Sequence, residues 1–189
     1  IGYQCYEVSH FTKFDEILDG RVKTLHPLIH ASLLFDRNRK NHLKLFKKLH
    51  FPEILFVVVN LYPFEETIKS NVKRKKCMEM IDIGGVTLLR SAAKNFYSVT
   101  PISNINDYDA LIKNMNNNLG KTSLDFRRKM AAKTFELTAL YDNLISDWMN
   151  NNNNNFKIIK HEKDLLRYGE NPHQKSFFYK NKLDSNLFK

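Results

Sequence analysis

At 189 residues, 42% apolar and 12% aromatic, the chain has the make-up of one folded domain, or of one domain and part of a second, and this excludes wholesale disorder. No apolar run reaches the roughly 18–20 residues that a membrane-spanning helix needs, and two cysteines, Cys5 and Cys77, exclude a disulfide framework and suit a reducing, cytoplasmic compartment. Thirty Lys and Arg against twenty Asp and Glu give a net charge of +10, a field that concentrates anions.

In chain order, the first periodic segment is Asn38–Leu49, where Leu43, Leu45, Phe46 and Leu49 stand among basic residues as on an amphipathic helix. Ile54–Leu61, ILFVVVNL, is a short, unbroken, β-branched run of the kind a buried parallel strand carries. Pro63 ends it, because proline has no N–H to give to a ladder. Lys69–Met80 reads as a charged connector with a short helix toward its end. In Ile81–Asn95 a glycine pair, Gly84 and Gly85, opens into helical composition over Val86–Lys94. Tyr97–Ile102 is a second strand and Asn106–Met115 a following helix. This alternation predicts an α/β domain with a mainly parallel sheet.

Thr122–Trp148 is the longest periodic segment. Phe126, Met130, Leu137, Tyr141, Leu144 and Trp148 mark one helical face that packs on the core, with Thr122 and Asp125 as a capping box at its start. The run Asn150–Asn155 buries nothing apolar and reads as a linker over 150–160. The domain before it spans 1–149, and 161–189 is too short to fold alone and reads as the opening of a second domain. A start at Ile1 rather than Met reads as a piece lacking its own N-terminus.

Four clusters carry possible chemistry. In Gly20-Arg-Val-Lys-Thr-Leu-His-Pro27, Arg21, Lys23 and Thr24 offer a guanidinium fork, a compact ammonium and a hydroxyl to one anion, with His26 as a supporting donor; a basic surface loop is the plainer alternative. Asn60 and Tyr62 sit past the carboxyl end of the first strand, where open α/β sheets bind ligands, and a phenol there can donate to a developing oxyanion; an aromatic plug is the alternative. Asp82-Ile83-Gly84-Gly85 precedes a helix whose first N–H groups form an anion site, or else serves only as a cap. Arg90 and Lys94 share one helical face, and a lysine beside a carboxylate in a partly dry site can act as acid or clamp; a solvated surface pair is the alternative. Metal binding finds no support: the seven histidines are scattered, His26 and His30 lack partners at ligand spacing, and Pro27 argues against a regular helix between them. No phosphate-binding glycine loop or dinucleotide fingerprint occurs.

Charge alone gives no nucleic-acid motif. The basic stretches Lys40–Lys48 and Lys73–Lys76 interleave with few aromatics, and 21 asparagines beside the lysines point to compositional drift rather than to a binding role.

The ordered clusters GRVKTLHP, NLYPF and IDIGGVTLLRSAAKN, followed by LRYGENPHQ at 166–174, closely resemble the family of bifunctional purine biosynthesis (PurH) enzymes, which join an IMP cyclohydrolase domain to an AICAR transformylase domain. The resemblance runs from about Tyr6 to Tyr179. It implies a methylglyoxal-synthase-like fold, doubly wound with flanking helices, before the linker. It also implies dehydrating ring closure of formyl-AICAR (5-formamidoimidazole-4-carboxamide ribonucleotide) to IMP, a step for which the family needs no cofactor and no metal. The other half of such a protein formylates AICAR with 10-formyltetrahydrofolate. Carried over by position, Lys94, Tyr62, Asp82 and Lys23 are catalytic. Arg21, Thr24, Asn60, Ile83 and Gly84 bind substrate, and Arg167 and Tyr168 contact AICAR in the transformylase part. The implied partners are the nucleotide and a second copy of the chain, with no nucleic acid and no membrane.

Against the family pattern, the first strand and a Ser/Thr/Gly-rich phosphate loop do not precede this start. Most of the transformylase domain, with its catalytic Lys-His pair and folate site, is also missing, so transformylase activity is not expected of this piece. Position 28 is Leu and position 32 Ser, both tolerable packing changes. A non-catalytic phosphometabolite-binding module of the same fold is the alternative, since fold does not fix function.

Overall fold

Val57, at the centre of the ILFVVVNL run, is buried, and the backbone around it makes the sheet that organises the first part of the molecule. The computed structural model describes residues 2–70, 72–150, 163–165 and 177–179. Strand β1 (Phe56–Val58) pairs parallel with β2 (Thr100–Ile102) in the register Phe56 to Thr100 and Val58 to Ile102. Bonds from Thr100 N–H to the Leu55 carbonyl (2.8 Å) and from Val59 N–H to the Ile102 carbonyl (3.0 Å) extend the ladder by a residue at each end. Both strands are shorter than their apolar runs. Tyr97 and Ser98 belong to a turn, and Val58 and Leu55 are each 48% exposed, so β1 is covered less than a fully buried strand would be.

Among the described residues eight helices surround or follow this pair. They are α1 (Val8–Thr12), α2 (Pro27–Leu34), α3 (Lys40–Lys48), α4 (Phe64–Lys69), α5 (Arg74–Glu79), α6 (Gly84–Lys94), α7 (Tyr108–Asn117, after a 3-10 turn at Ile105–Asp107) and α8 (Leu124–Asn150). Of these, α6 packs directly on both strands and α2 packs on α6. The first part of the chain is thus an α/β domain with a parallel sheet and flanking helices. Ile29 and Leu33 of α2, Leu89 and Ala92 of α6, Val57 and Val99 form one core, flanked by Leu28, Ile54, Leu61 and Leu88. Phe64, Cys77 and Tyr141 centre a second, joined by Met80, Ile81, Val86, Leu144 and Trp148. The chain divides into compact units at 1–148 and 149–189, and in the second unit β3 (Lys163–Leu165) pairs antiparallel with β4 (Phe177–Tyr179).

Three sequence expectations are corrected. Pro27 does not prevent a helix between His26 and His30; it starts one. It occupies the first position of α2, where its missing N–H costs nothing, and His26 caps the helix by accepting from Leu28 N–H at 3.2 Å. The start of α8 is capped by Ser123, whose hydroxyl accepts from Phe126 N–H (3.2 Å), while the Thr122 hydroxyl is buried against that of Thr100 (2.7 Å). The buried face of α8 runs Met130, Ala131, Thr134, Thr138 and Tyr141, so two threonines stand where periodicity put Phe126 and Leu137.

His30 of α2 faces α6, its Nδ1 3.0 Å from the Ser91 hydroxyl and its Nε2 buried without a partner among the described residues. Burial pushes this imidazole below its ordinary value of 6.5. The folded state therefore holds the neutral ring, whereas the unfolded chain takes up a proton below that value. Stability from this site is complete above the unfolded pKa and is lost as pH falls through the depressed folded one. Tm should drop on acidification from about pH 7 to 5, and His30→Asn should flatten that slope; equal slopes in the two proteins would contradict this.

Candidate active site

The loop ahead of α2 is drawn tight by its own backbone. Ile17 and Val22 form an antiparallel bridge, and the chain turns between them through three consecutive left-handed residues, Leu18 (φ 55°), Asp19 (54°) and Gly20 (90°). Only Gly20 takes such a φ without steric penalty; at Leu18 it is strained. Arg21 closes this turn, and Lys23 and Thr24 follow on the bend that leaves it. Arg21 grips Glu79 with both ends of its fork (2.5 and 3.2 Å), and Lys23 meets Glu16 at 2.9 Å and Glu7 at 3.5 Å. The bond to Glu79 raises the Arg21 pKa, and that to Glu16 raises the Lys23 pKa, so both stay charged. These pairs are exposed, and exposed pairs contribute little. A phosphate or other anion can exchange for the carboxylates.

Glu79 ends α5, and the four residues after it lead to α6, so the Arg21 grip sets the loop beside the helix start. The half-buried Thr24 lies so close to Gly84 that a Cβ added there would stand 2.7 Å from its hydroxyl. This is a close approach that only glycine permits, and it puts Thr24 and the first turn of α6 on one wall. Asp82 Oδ1 accepts from Gly85 N–H at 2.7 Å, so the carboxylate caps the helix. The turn itself is held from behind: Tyr141 Oη accepts from Asp82 N–H (2.8 Å) and donates to the Met80 carbonyl (3.1 Å). Burial raises the Tyr141 pKa and keeps it a neutral donor. Ile83 is exposed, and the first N–H groups of a helix have no partner within it, so the turn offers backbone donors to a ligand.

The structure brings together Arg21, Lys23, Thr24, Asp82, Ile83 and Gly84. Tyr62 joins them more loosely: it is 54% exposed, between Leu61 and Phe64, which pack in the same cluster as Met80 and Ile81. Asn60 donates to the Tyr108 hydroxyl at 3.3 Å. Lys94 is not brought to the group. It ends α6, and ten residues at 1.5 Å rise put about 15 Å of helix between it and Gly84. Its helical neighbour Arg90 turns to α8, over the Phe135 ring and 3.5 Å from the Thr138 hydroxyl. Arg167 and Tyr168 lie outside the described residues. Two cavities, of about 270 and 590 Å³, are lined by none of these residues. Among the described residues no three of His, Cys, Asp and Glu gather as a metal site would require, and no helix is long and apolar enough to cross a membrane.

Sequence reasoning missed Glu79, which is indistinguishable from any surface carboxylate, and the role of Tyr141, which the helical stripe gave only as core.

Residues 1–87 match the model of the MGS-like domain, and residues 92–188 that of the AICARFT/IMPCHase bienzyme. The chain belongs to the AICARFT/IMPCHase bienzyme family. The two matches meet inside α6, on the helix that carries the candidate site at one end and Lys94 at the other. Among relatives of the bienzyme family, the bifunctional purine biosynthesis protein PurH of Clostridium kluyveri is 44% identical over 178 residues, covering 93% of this chain and 36% of that protein. PurH of Bacillus thuringiensis (strain Al Hakam) is 46% identical over 185 residues, covering 95% and 36%. The chain thus spans about a third of the length of these bienzyme relatives. In structure it is similar to ForH, with a TM-score of 0.63 and 27% identity over 78% of this chain and 77% of ForH.

Proposed function

We propose that the site at the start of α6 carries out the dehydrating ring closure of formyl-AICAR to IMP, in a longer bifunctional purine biosynthesis protein of the cytoplasm. The observation that carries this reading is the junction of Thr24 with Gly84, which sets a cationic loop against a capped helix start. Ring closure needs such a place. The carboxamide nitrogen attacks the formyl carbon, negative charge gathers on the formyl oxygen, and water then leaves. Donors aimed at that oxygen stabilise the transition state, each worth roughly 3–4 kcal/mol in barrier. The N–H groups of Ile83 and Gly84 and the phenol of Tyr62 would be such donors.

Arg21, Lys23 and Thr24 would hold the nucleotide beside that turn, and Asn60 would border it. Because the reaction is intramolecular, holding the substrate in its closed rotamer supplies much of the remaining acceleration. Asp82 would serve as proton acceptor. Lys94 stays in the proposal as the resemblance assigns it, a proton-handling group, but it has no contact with a substrate at the turn while α6 keeps its present form. The step uses neither cofactor nor metal. Arg167 and Tyr168, the formyl donor 10-formyltetrahydrofolate and assembly into a homodimer rest on the resemblance alone.

The test is turnover of formyl-AICAR to IMP by the full-length protein without added cofactor. Tyr62→Phe should lower kcat by about 10²–10³-fold with little change in KM, as loss of a donor that acts mainly in the transition state does. Tight binding of the nucleotide with no IMP formed would support the binding-module alternative instead.

A further inference from the structure

A second cationic site lies at the other end of the sheet. Leu55, Phe56, Ser98 and Thr100, at the amino ends of β1 and β2, open onto the cleft of about 590 Å³, whereas the site described above follows their carboxyl ends. Three cations line the cleft, Arg37, Lys121 and Arg127, against one carboxylate, Glu53.

Arg37 is held in a fixed pose. Its Nε bonds Glu53 at 3.2 Å, its Nη2 reaches the Ile54 carbonyl at 3.4 Å, and its guanidinium carbon sits 4.7 Å over the Phe35 ring. That leaves Nη1 buried with no partner among the described residues. An unsatisfied guanidinium N–H away from water is costly, and it marks where an acceptor belongs.

Arg127 is clamped by carbonyls. Its Nε donates to Phe96 (2.8 Å), its Nη2 to Tyr97 (3.1 Å) and its Nη1 to Thr122. No carboxylate among the described residues pairs with it, and burial and the Arg37 charge both lower its pKa. The backbone clamp holds the charge in place without neutralising it. Lys121 stands exposed beside Thr122 and lines the cleft.

We infer that this cleft is a second anion site, separate from the one at α6, that takes the phosphate group of a small phosphorylated metabolite on Arg37 and Lys121, within the field of Arg127. The surplus of positive charge suits a dianion better than a carboxylate, and a guanidinium N–H with an ammonium is a pairing that phosphate oxygens accept. The inference is independent of the reaction proposed for the site at α6.

Acylation of Lys121 in the full-length protein, followed by peptide mass spectrometry at constant ionic strength, tests it. Inorganic phosphate at about twice its dissociation constant should slow Lys121 acylation about threefold, as a bound fraction of two thirds requires, while acetate and chloride should not. Arg37→Gln should abolish the protection. Glu53→Gln, an exposed change that removes the competing carboxylate, should lower the phosphate concentration needed and guards against a folding defect in the first variant. Absence of protection in the unaltered protein, equal protection by acetate, or no response to Glu53→Gln would overturn the site.

Discussion

Phe64→Ala should cost about 3–5 kcal/mol of stability in urea unfolding, the range for removing a buried phenylalanine without collapse of its cavity. Phe64 is 1% exposed, edge-on to Trp148 at 5.5 Å and to Tyr141 at 6.2 Å, and closes the cluster of Cys77, Met80 and Ile81. The effect reaches the candidate site as well. Tyr141 holds Asp82 N–H and the Met80 carbonyl through one hydroxyl, so a void beside its ring loosens the turn that presents the donors. Turnover should therefore fall even under conditions where the variant remains folded, and Phe64→Leu, which refills most of the volume, should recover both. A loss below about 1 kcal/mol would show the cluster to be far less tightly packed than described.

Asp82→Asn separates two roles of one side chain. Asparagine caps a helix about as well as aspartate, so the bond to Gly85 N–H survives and stability should change by less than about 1 kcal/mol. The proton acceptor is lost, and turnover of formyl-AICAR by the full-length protein should fall by about 10²-fold or more, as loss of a general base does. Lys94→Met should lower it by less than Asp82→Asn, because about 15 Å of helix backbone lies between Lys94 and the turn. An equal loss would show that the chain rearranges to bring Lys94 to the reacting atoms. Turnover unchanged in Asp82→Asn would remove the acid–base role.

Much of the architecture could be read from residues because local and tertiary preferences agree there. ILFVVVNL gives β1, and α6 begins at the glycine pair. What escaped reading has identifiable causes. Pro27 is a breaker inside a helix but a starter at its first position, and the two are separated only by what precedes it. Thr134 and Thr138 fill the seam of α8 because small side chains allow close packing, so the larger apolar residues on which periodicity relied mark its margin. The site was legible as three motifs, and Thr24 against Gly84 unites two of them. Lys94 belongs to the same conspicuous stretch as Asp82, and α6 holds the two at opposite ends.

On the function proposed above, the nucleotide binds where the Arg21–Thr24 loop meets the start of α6. A crystal structure of the full-length protein with IMP tests it most directly. The newly closed ring should lie within hydrogen-bond reach of the Ile83 and Gly84 N–H groups, with Arg21, Lys23 and Thr24 along the nucleotide. IMP seated in the Arg37–Arg127 cleft instead, or anywhere without contact to residues 21–24 and 82–85, would contradict it.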